Sequence, residues 1–174
     1  MTMFESSVHV SDELFTHLVH THTLGHDGFH GKDHWLCVLH NGRELVAQTG
    51  AMRVVELFAL LHDSQREHEG EDPDHGHRAA DYARSLQGVW FDLSSDELEL
   101  LVYACRYQSD GFTEADLTVQ VCWDADRLDL GRVGVRPDPR YLCTDYAKTK
   151  SVVEAAYQAS QVYGKFQSII YTND

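Results

Sequence analysis

The chain has 174 residues, a formal net charge of -14 and 43% apolar residues, which suffices for one good core and most simply one domain over 1–174. Its acidity argues against duplex nucleic acid as a partner, because backbone phosphates are held mainly by Lys and Arg; a small phosphate ester stays compatible, since a bound cation changes the local field. The start carries Glu5, Asp12 and Glu13 with no basic cluster, and the longest apolar run is Leu100 to Cys105, so neither a signal peptide nor a membrane span is expected.

In chain order the pattern is helical throughout. Ser11 is placed to cap a helix over about 12–23 with Leu14, Phe15, Leu18 and Val19 as its apolar face. The Gly25, Gly28 and Gly31 series then breaks it. A second helix, about 32–48, carries His34 and stops before Gly50, and a third, about 51–66, carries His62 and Asp63. A polar loop from Glu67 to Asp74, containing Pro73, precedes a helix over about 75–87 that ends at Gly88. Ser94 with Glu97 forms a capping box and opens a helix to about Gln108. Another, about 114–130, places Asp126 in its last turns. Pro137 and Pro139 mark a loop, and Val152, Ala155, Ala156, Ala159 and Val162 give a final amphipathic helix over about 145–163. No stretch alternates well enough to demand a strand.

His62-Asp63 stands at the polar end of the apolar segment Leu57-Phe58-Ala59-Leu60-Leu61. Burying an imidazole and a carboxylate is costly unless something binds them, and a divalent cation takes both ligand types. Alone, the dipeptide equally fits a helix whose last polar residues reach solvent. Two further segments weigh against that: Gly28-Phe29-His30-Gly31-Lys32-Asp33-His34-Trp35 upstream, and Cys122-Trp123-Asp124-Ala125-Asp126-Arg127-Leu128-Asp129 downstream. The order His, His-Asp, Asp, with the first His before a Trp and the last Asp inside Ala-Asp-Arg-Leu, resembles the HD superfamily of metal-dependent phosphohydrolases over about residues 28–143.

That resemblance implies an all-α, multi-helix bundle in which His34, His62, Asp63 and Asp126 ligate one metal. Of the two neighbouring aspartates Asp126 matches the family's ligand, with Asp124 as the alternative. It also implies that Asp63 orients a water or accepts its proton. Geometry is compatible: His62 and Asp63 are about 100° apart around a helix, so one cation is within reach of both. His34 and Asp126 must come from other helices, which makes the metal a cross-brace of the bundle. Four protein ligands leave open positions at an octahedral ion, as hydrolysis by a metal-activated water requires.

Around this set stand candidate substrate contacts. Arg66 lies three residues after Asp63 and shares its side if the helix continues that far; a guanidinium suits phosphate oxygens, and a salt bridge to Glu67 or Glu69 is the alternative. His30 either faces the pocket or is a solvated loop histidine. Arg132 either reaches a phosphate or compensates the C-terminal end of the Asp126 helix. Superfamily members with two metals use extra histidines where this chain has His75 and Gln108. An amide oxygen is a poorer ligand than imidazole for such metals, which argues for one metal and leaves His75 and Gln108 as contacts to substrate or water.

All twelve histidines lie between residues 9 and 77, and His22, His26, His30 and His34 recur every four residues, a metal-ligand spacing on a helix. The intervening glycines argue for loop histidines instead, with a second, exposed metal site as the alternative; His77 is expected at the surface. Cys37, Cys105, Cys122 and Cys143 are widely spaced without a Cys-x-x-Cys pair, so reduced, structural cysteines and a cytoplasmic location are expected.

The expected activity is hydrolysis of a phosphomonoester or phosphodiester bond in a nucleotide or related small metabolite, with one divalent ion: manganese, magnesium, iron, cobalt, nickel or zinc. A catalytically inactive, metal-stabilised nucleotide-binding or signalling module is the alternative, and a two-iron oxygenase a third. The expected partner is a small phosphorylated molecule, with no membrane and no duplex nucleic acid; the oligomeric state is left open.

Overall fold

The structure, a computed structural model, describes residues 10–25, 28–47 and 51–171, with side chains described up to 162. Seven α-helices follow one another among them: α1 (Asp12–Thr21), α2 (Lys32–Val46), α3 (Met52–Leu61), α4 (His75–Leu86), α5 (Ser95–Tyr107), α6 (Leu117–Arg127) and α7 (Lys150–Tyr171). Two short 3₁₀ segments, Leu128–Val133 and Pro139–Tyr141, lie between α6 and α7. The described chain is all-α; its one extended pairing is an isolated bridge between Gln87 and Phe91. No helix among the described residues is long and apolar enough to cross a membrane.

Helix α3 is the axis of the bundle. Every residue from Val54 to Leu61 is buried, the mark of a helix enclosed on all sides, and α1, α2, α5 and α6 all pack on it. At the α2–α3 crossing a Cβ on Gly42 would stand 2.5 Å from Val55 Cγ1, so the close approach depends on glycine. Asn41 ties α2 to α6 by donating to the Ala125 carbonyl at 3.1 Å. Trp123 ties α6 to α5 through Ala104 O at 3.0 Å. Helix α4 lies along α5, and α7 lies against the Leu128–Val133 segment.

Local signals set several ends. Ser11 caps α1 by accepting from Leu14 N, and Ser94 with Glu97 forms the capping box of α5. Three boundaries differ from those expected. Helix α3 stops at Leu61, not near 66, because its terminal carbonyls find other donors: Leu61 O accepts from Ser64 N and Oγ, and His62 O from Gln108 Nε2 at 2.7 Å. Helix α6 ends at Arg127 and tightens into the 3₁₀ segment instead of running to about 130. Helix α7 begins at Lys150, later than 145, and extends to Tyr171. The chain around Gly50, expected to end the second helix, lies outside the described residues.

Candidate metal centre

Three helix ends deliver the candidate ligands to one point. His34 is in the first turn of α2, His62 is the C-cap of α3 with Asp63 in the turn beyond it, and Asp126 is in the last turn of α6. His34 Nε2 and His62 Nε2 are 3.0 Å apart. Asp126 Oδ1 lies 3.3 Å from the first and 3.7 Å from the second. Asp63 Oδ2 lies 3.5 Å and 3.7 Å from the same two atoms.

The partners of the other ring nitrogens decide what these atoms offer. His62 Nδ1 is 3.2 Å and 3.1 Å from the carbonyls of Phe58 and Ala59, which only accept, so Nδ1 carries the proton and Nε2 a lone pair. His34 Nδ1 is 2.7 Å from Asp129 Oδ2, with the same result. Two lone pairs facing each other at 3.0 Å repel unless a cation or a proton lies between them. Ligands bonded to one ion at about 2.0–2.2 Å stand roughly 3.0–3.5 Å apart, close to the spacing seen. The donor set of two imidazoles and two carboxylates therefore fits a divalent metal.

Electrostatics agree. Burial lowers the His62 pKa to about 4 despite the pull of Asp63 and Asp126. Burial and Arg132 also press down on His34, but Asp126 and Asp129 outweigh them and its pKa is raised. Against the cost of burial, His62, His30 and His34 hold Asp63 well below the usual carboxylate range, and His34 and His62 do the same for Asp126. Two ionised carboxylates thus face the imidazole pair.

No protein-family model matches the chain, and no curated protein matches it either. Among solved structures it is similar to a predicted HD superfamily hydrolase from an uncultured Thermotogales bacterium, whose crystal structure was determined at 1.45 Å. The two are 26% identical with a TM-score of 0.64, over 92% of this chain and 91% of that one. The likeness covers nearly the whole of both chains and supports the HD superfamily that the His, His-Asp, Asp order suggests.

Around this centre the other candidate residues divide into two groups. Two stand at the centre: His30 Nδ1 is 2.7 Å from Asp63 Oδ2, and His30, His34 and Asp63 form a second triad with metal-ligand spacing; His75 Nε2 is 3.4 Å from Asp63 Oδ1, its Nδ1 turned to the Asp72 carbonyl. The rest support from behind. Arg66 is not on a helix; it folds back so that Nε donates to Asp63 Oδ1 at 3.1 Å while Nη1 donates to the carbonyls of His68 and Gly70. It pairs with neither Glu67 nor Glu69. Gln108 props the His62 carbonyl. Arg132 donates to the carbonyls of Phe29 and Asp129, closer to the helix-end role than to an open phosphate site. A Cβ on Gly76 would stand 2.7 Å from the Cys105 carbonyl, so glycine lets α4 approach α5 and brings His75 beside Ser109, 3.4 Å away.

Asp124 is not a ligand candidate: its carboxylate accepts from Cys143 N, Thr144 N and Thr144 Oγ1 at 2.6, 2.8 and 2.7 Å. The four-residue histidine series does not form a face of its own, since His22 is buried with Nδ1 3.1 Å from Ser64 O, and His26 lies outside the described residues. Sequence reasoning missed Asp129. The signal was there: a lone carboxylate between Leu128 and Leu130, three residues after Asp126.

Proposed function

We propose that this chain is a metal-dependent hydrolase acting on a phosphomonoester or phosphodiester bond of a nucleotide or related small metabolite. The observation that carries the reading is the convergence of His34 Nε2 and His62 Nε2 at 3.0 Å, flanked by ionised Asp63 and Asp126. The hydrolase name of the similar Thermotogales structure supports it. His34, His62, Asp63 and Asp126 would hold one divalent cation, of manganese, magnesium, iron, cobalt, nickel or zinc. Such a cation supplies Lewis acidity, acidifying water and polarising a phosphoryl oxygen.

The chain's own residues do the rest. Asp63 keeps Oδ2 toward the ligand cluster and Oδ1 toward Arg66 and His75, an orientation in which its carboxylate would orient a water or accept its proton. His30 and His75 flank that carboxylate and offer hydrogen bonds to a phosphoryl group. The acidic chain suits a small phosphorylated substrate whose charge is met by the cation, in a cytoplasmic setting and away from membranes and duplex nucleic acid.

A metal-stabilised binding or signalling module is the second reading, and one observation favours it: Arg66 and Arg132 are both committed to internal partners. Two-iron chemistry has less support, because the Gln108 amide faces a backbone carbonyl and Arg66 occupies the outer oxygen of Asp63. A panel of nucleotides and phosphate esters assayed with manganese, magnesium or cobalt separates these. Phosphate release that His62→Ala abolishes is the expected result. One bound metal with no turnover across the panel would favour the module, and two irons per chain would favour the oxygenase.

A further inference from the structure

Behind the ligand cluster lies a carboxylate to which the ligand order gives no role. Asp129 is 2% exposed and its Oδ2 is 2.7 Å from His34 Nδ1. It follows Asp126 by three residues, across the junction where α6 tightens into 3₁₀ geometry, and three residues make one turn of such a helix. One segment thus supplies a candidate ligand and, a turn later, the group that holds another ligand from behind.

The turn is braced on both sides. Arg132 Nη1 lies 3.2 Å from the Asp129 carbonyl and 3.7 Å from its carboxylate, and the Cys37 thiol is near enough for that carboxylate to help burial push its pKa up. On the far side α7 closes against it: Gln161 Nε2 donates to Gly131 O at 2.6 Å, and a Cβ on Gly131 would stand 1.9 Å from Ser160 Oγ.

We propose that Asp129 is the positioning residue of the metal centre: it fixes His34 in the Nδ1–H tautomer, so that the Nε2 lone pair is held toward His62, Asp63 and Asp126. A carboxylate can only accept, so it admits one tautomer of the neutral ring. An asparagine would admit both, because its amide can also donate to Nδ1 and send the ring proton to Nε2, where it blocks the ligand position. Partners of this kind change metal affinity by about 10- to 100-fold when removed. The inference rests on the metal reading above, not on hydrolysis.

The test reads tautomer and metal, not turnover. Long-range ¹H–¹⁵N spectra of the metal-free full chain at pH 9, above the usual imidazole range, with the His34 signals assigned by their loss in His34→Asn, should show the proton on Nδ1. Asp129→Asn should shift population to Nε2–H and weaken cobalt(II) binding, followed by visible absorption, by about 10- to 100-fold; Asp129→Glu, which restores an acceptor-only group, should recover part of that loss. Cys37→Ala, which removes a different neighbour of Asp129, should leave both readouts unchanged. A wild-type ring protonated at Nε2 overturns the proposal, and so does Asp129→Asn binding cobalt within twofold of wild type. If Asp129→Asn does not fold, the wild-type spectrum alone decides. Intact cobalt binding with a blank substrate panel would sink the hydrolase reading and leave this one standing.

Discussion

Arg66 Nε donates to Asp63 Oδ1 at 3.1 Å, while Asp63 Oδ2 accepts from His30 Nδ1 at 2.7 Å. The two oxygens of one carboxylate are therefore held by donors on opposite sides, and the carboxylate plane is fixed before any ligand arrives. Arg66 draws its own rigidity from the carbonyls of His68 and Gly70.

Arg66→Ala should accordingly keep its metal but lose at least about tenfold in kcat, as expected when the orienting partner of a ligand is removed. Arg66→Lys should recover only part, since a point charge does not reproduce the guanidinium geometry. Elemental analysis and steady-state kinetics check this; a rise in KM alone would return Arg66 to a phosphate contact.

Asp124 and Asp126, two residues apart, should fail in different ways. Asp126→Ala should lose metal retention and activity and keep its fold. Asp124→Ala strips three donors at Cys143 and Thr144 of their acceptor and should cost about 2–4 kcal/mol in urea unfolding, mostly as buried donors left unsatisfied. A destabilised Asp126→Ala beside a stable, metal-free Asp124→Ala would reverse the assignment.

Gln108→Leu should destabilise by about 1–3 kcal/mol, because the His62 carbonyl would remain buried without its donor. Metal affinity should fall with it, as the turn carrying His62 and Asp63 loosens. Gln108→His should behave similarly and still hold one metal per chain. A second equivalent of bound metal in that variant would show that position 108 faces the centre after all.

The opposed shifts of the two histidines make a prediction about protons. His62, lowered to about 4 by burial, is neutral through the physiological range and offers no competition to a metal there. His34, raised by Asp126 and Asp129 against burial, is the ring a metal must deprotonate. Affinity should therefore fall as pH drops through a value above the ordinary 6.5 of histidine, with one proton released per metal bound, and fall further only toward pH 4. Calorimetry in buffers of different ionisation enthalpy counts that proton. Release of two, or an affinity flat from pH 8 to 5.5, is incompatible with this arrangement.

The convergence of His34, His62-Asp63 and Asp126 was legible because three separated segments carry these residue types in the order His, His-Asp, Asp. The end of α3 was not, since it is set by Gln108 reaching His62 O across 46 positions of sequence. The bond from Arg66 to Asp63 was hidden for the same reason, since Arg66 reaches that carboxylate by folding back beyond the helix end and not along a helix face. Asp129 left a local signal in its place between Leu128 and Leu130, but its role depends on α6 tightening after Arg127 and on α7 closing behind it. Asp124 and Asp126 could be told apart only by motif, although their partners separate them completely in space.

The packing of α7 on Gly131 also bears on the order in which the molecule is completed. His34, His62, Asp63 and Asp126 all precede residue 130, yet the turn carrying Asp129 gains its outer wall only from Ser160 and Gln161. During synthesis the four candidate ligands emerge before α7, the helix that packs on the turn carrying Asp129. A chain stopped before Lys150 should bind cobalt more weakly and release it faster than the full chain, and equal release rates would remove α7 from that sequence of events.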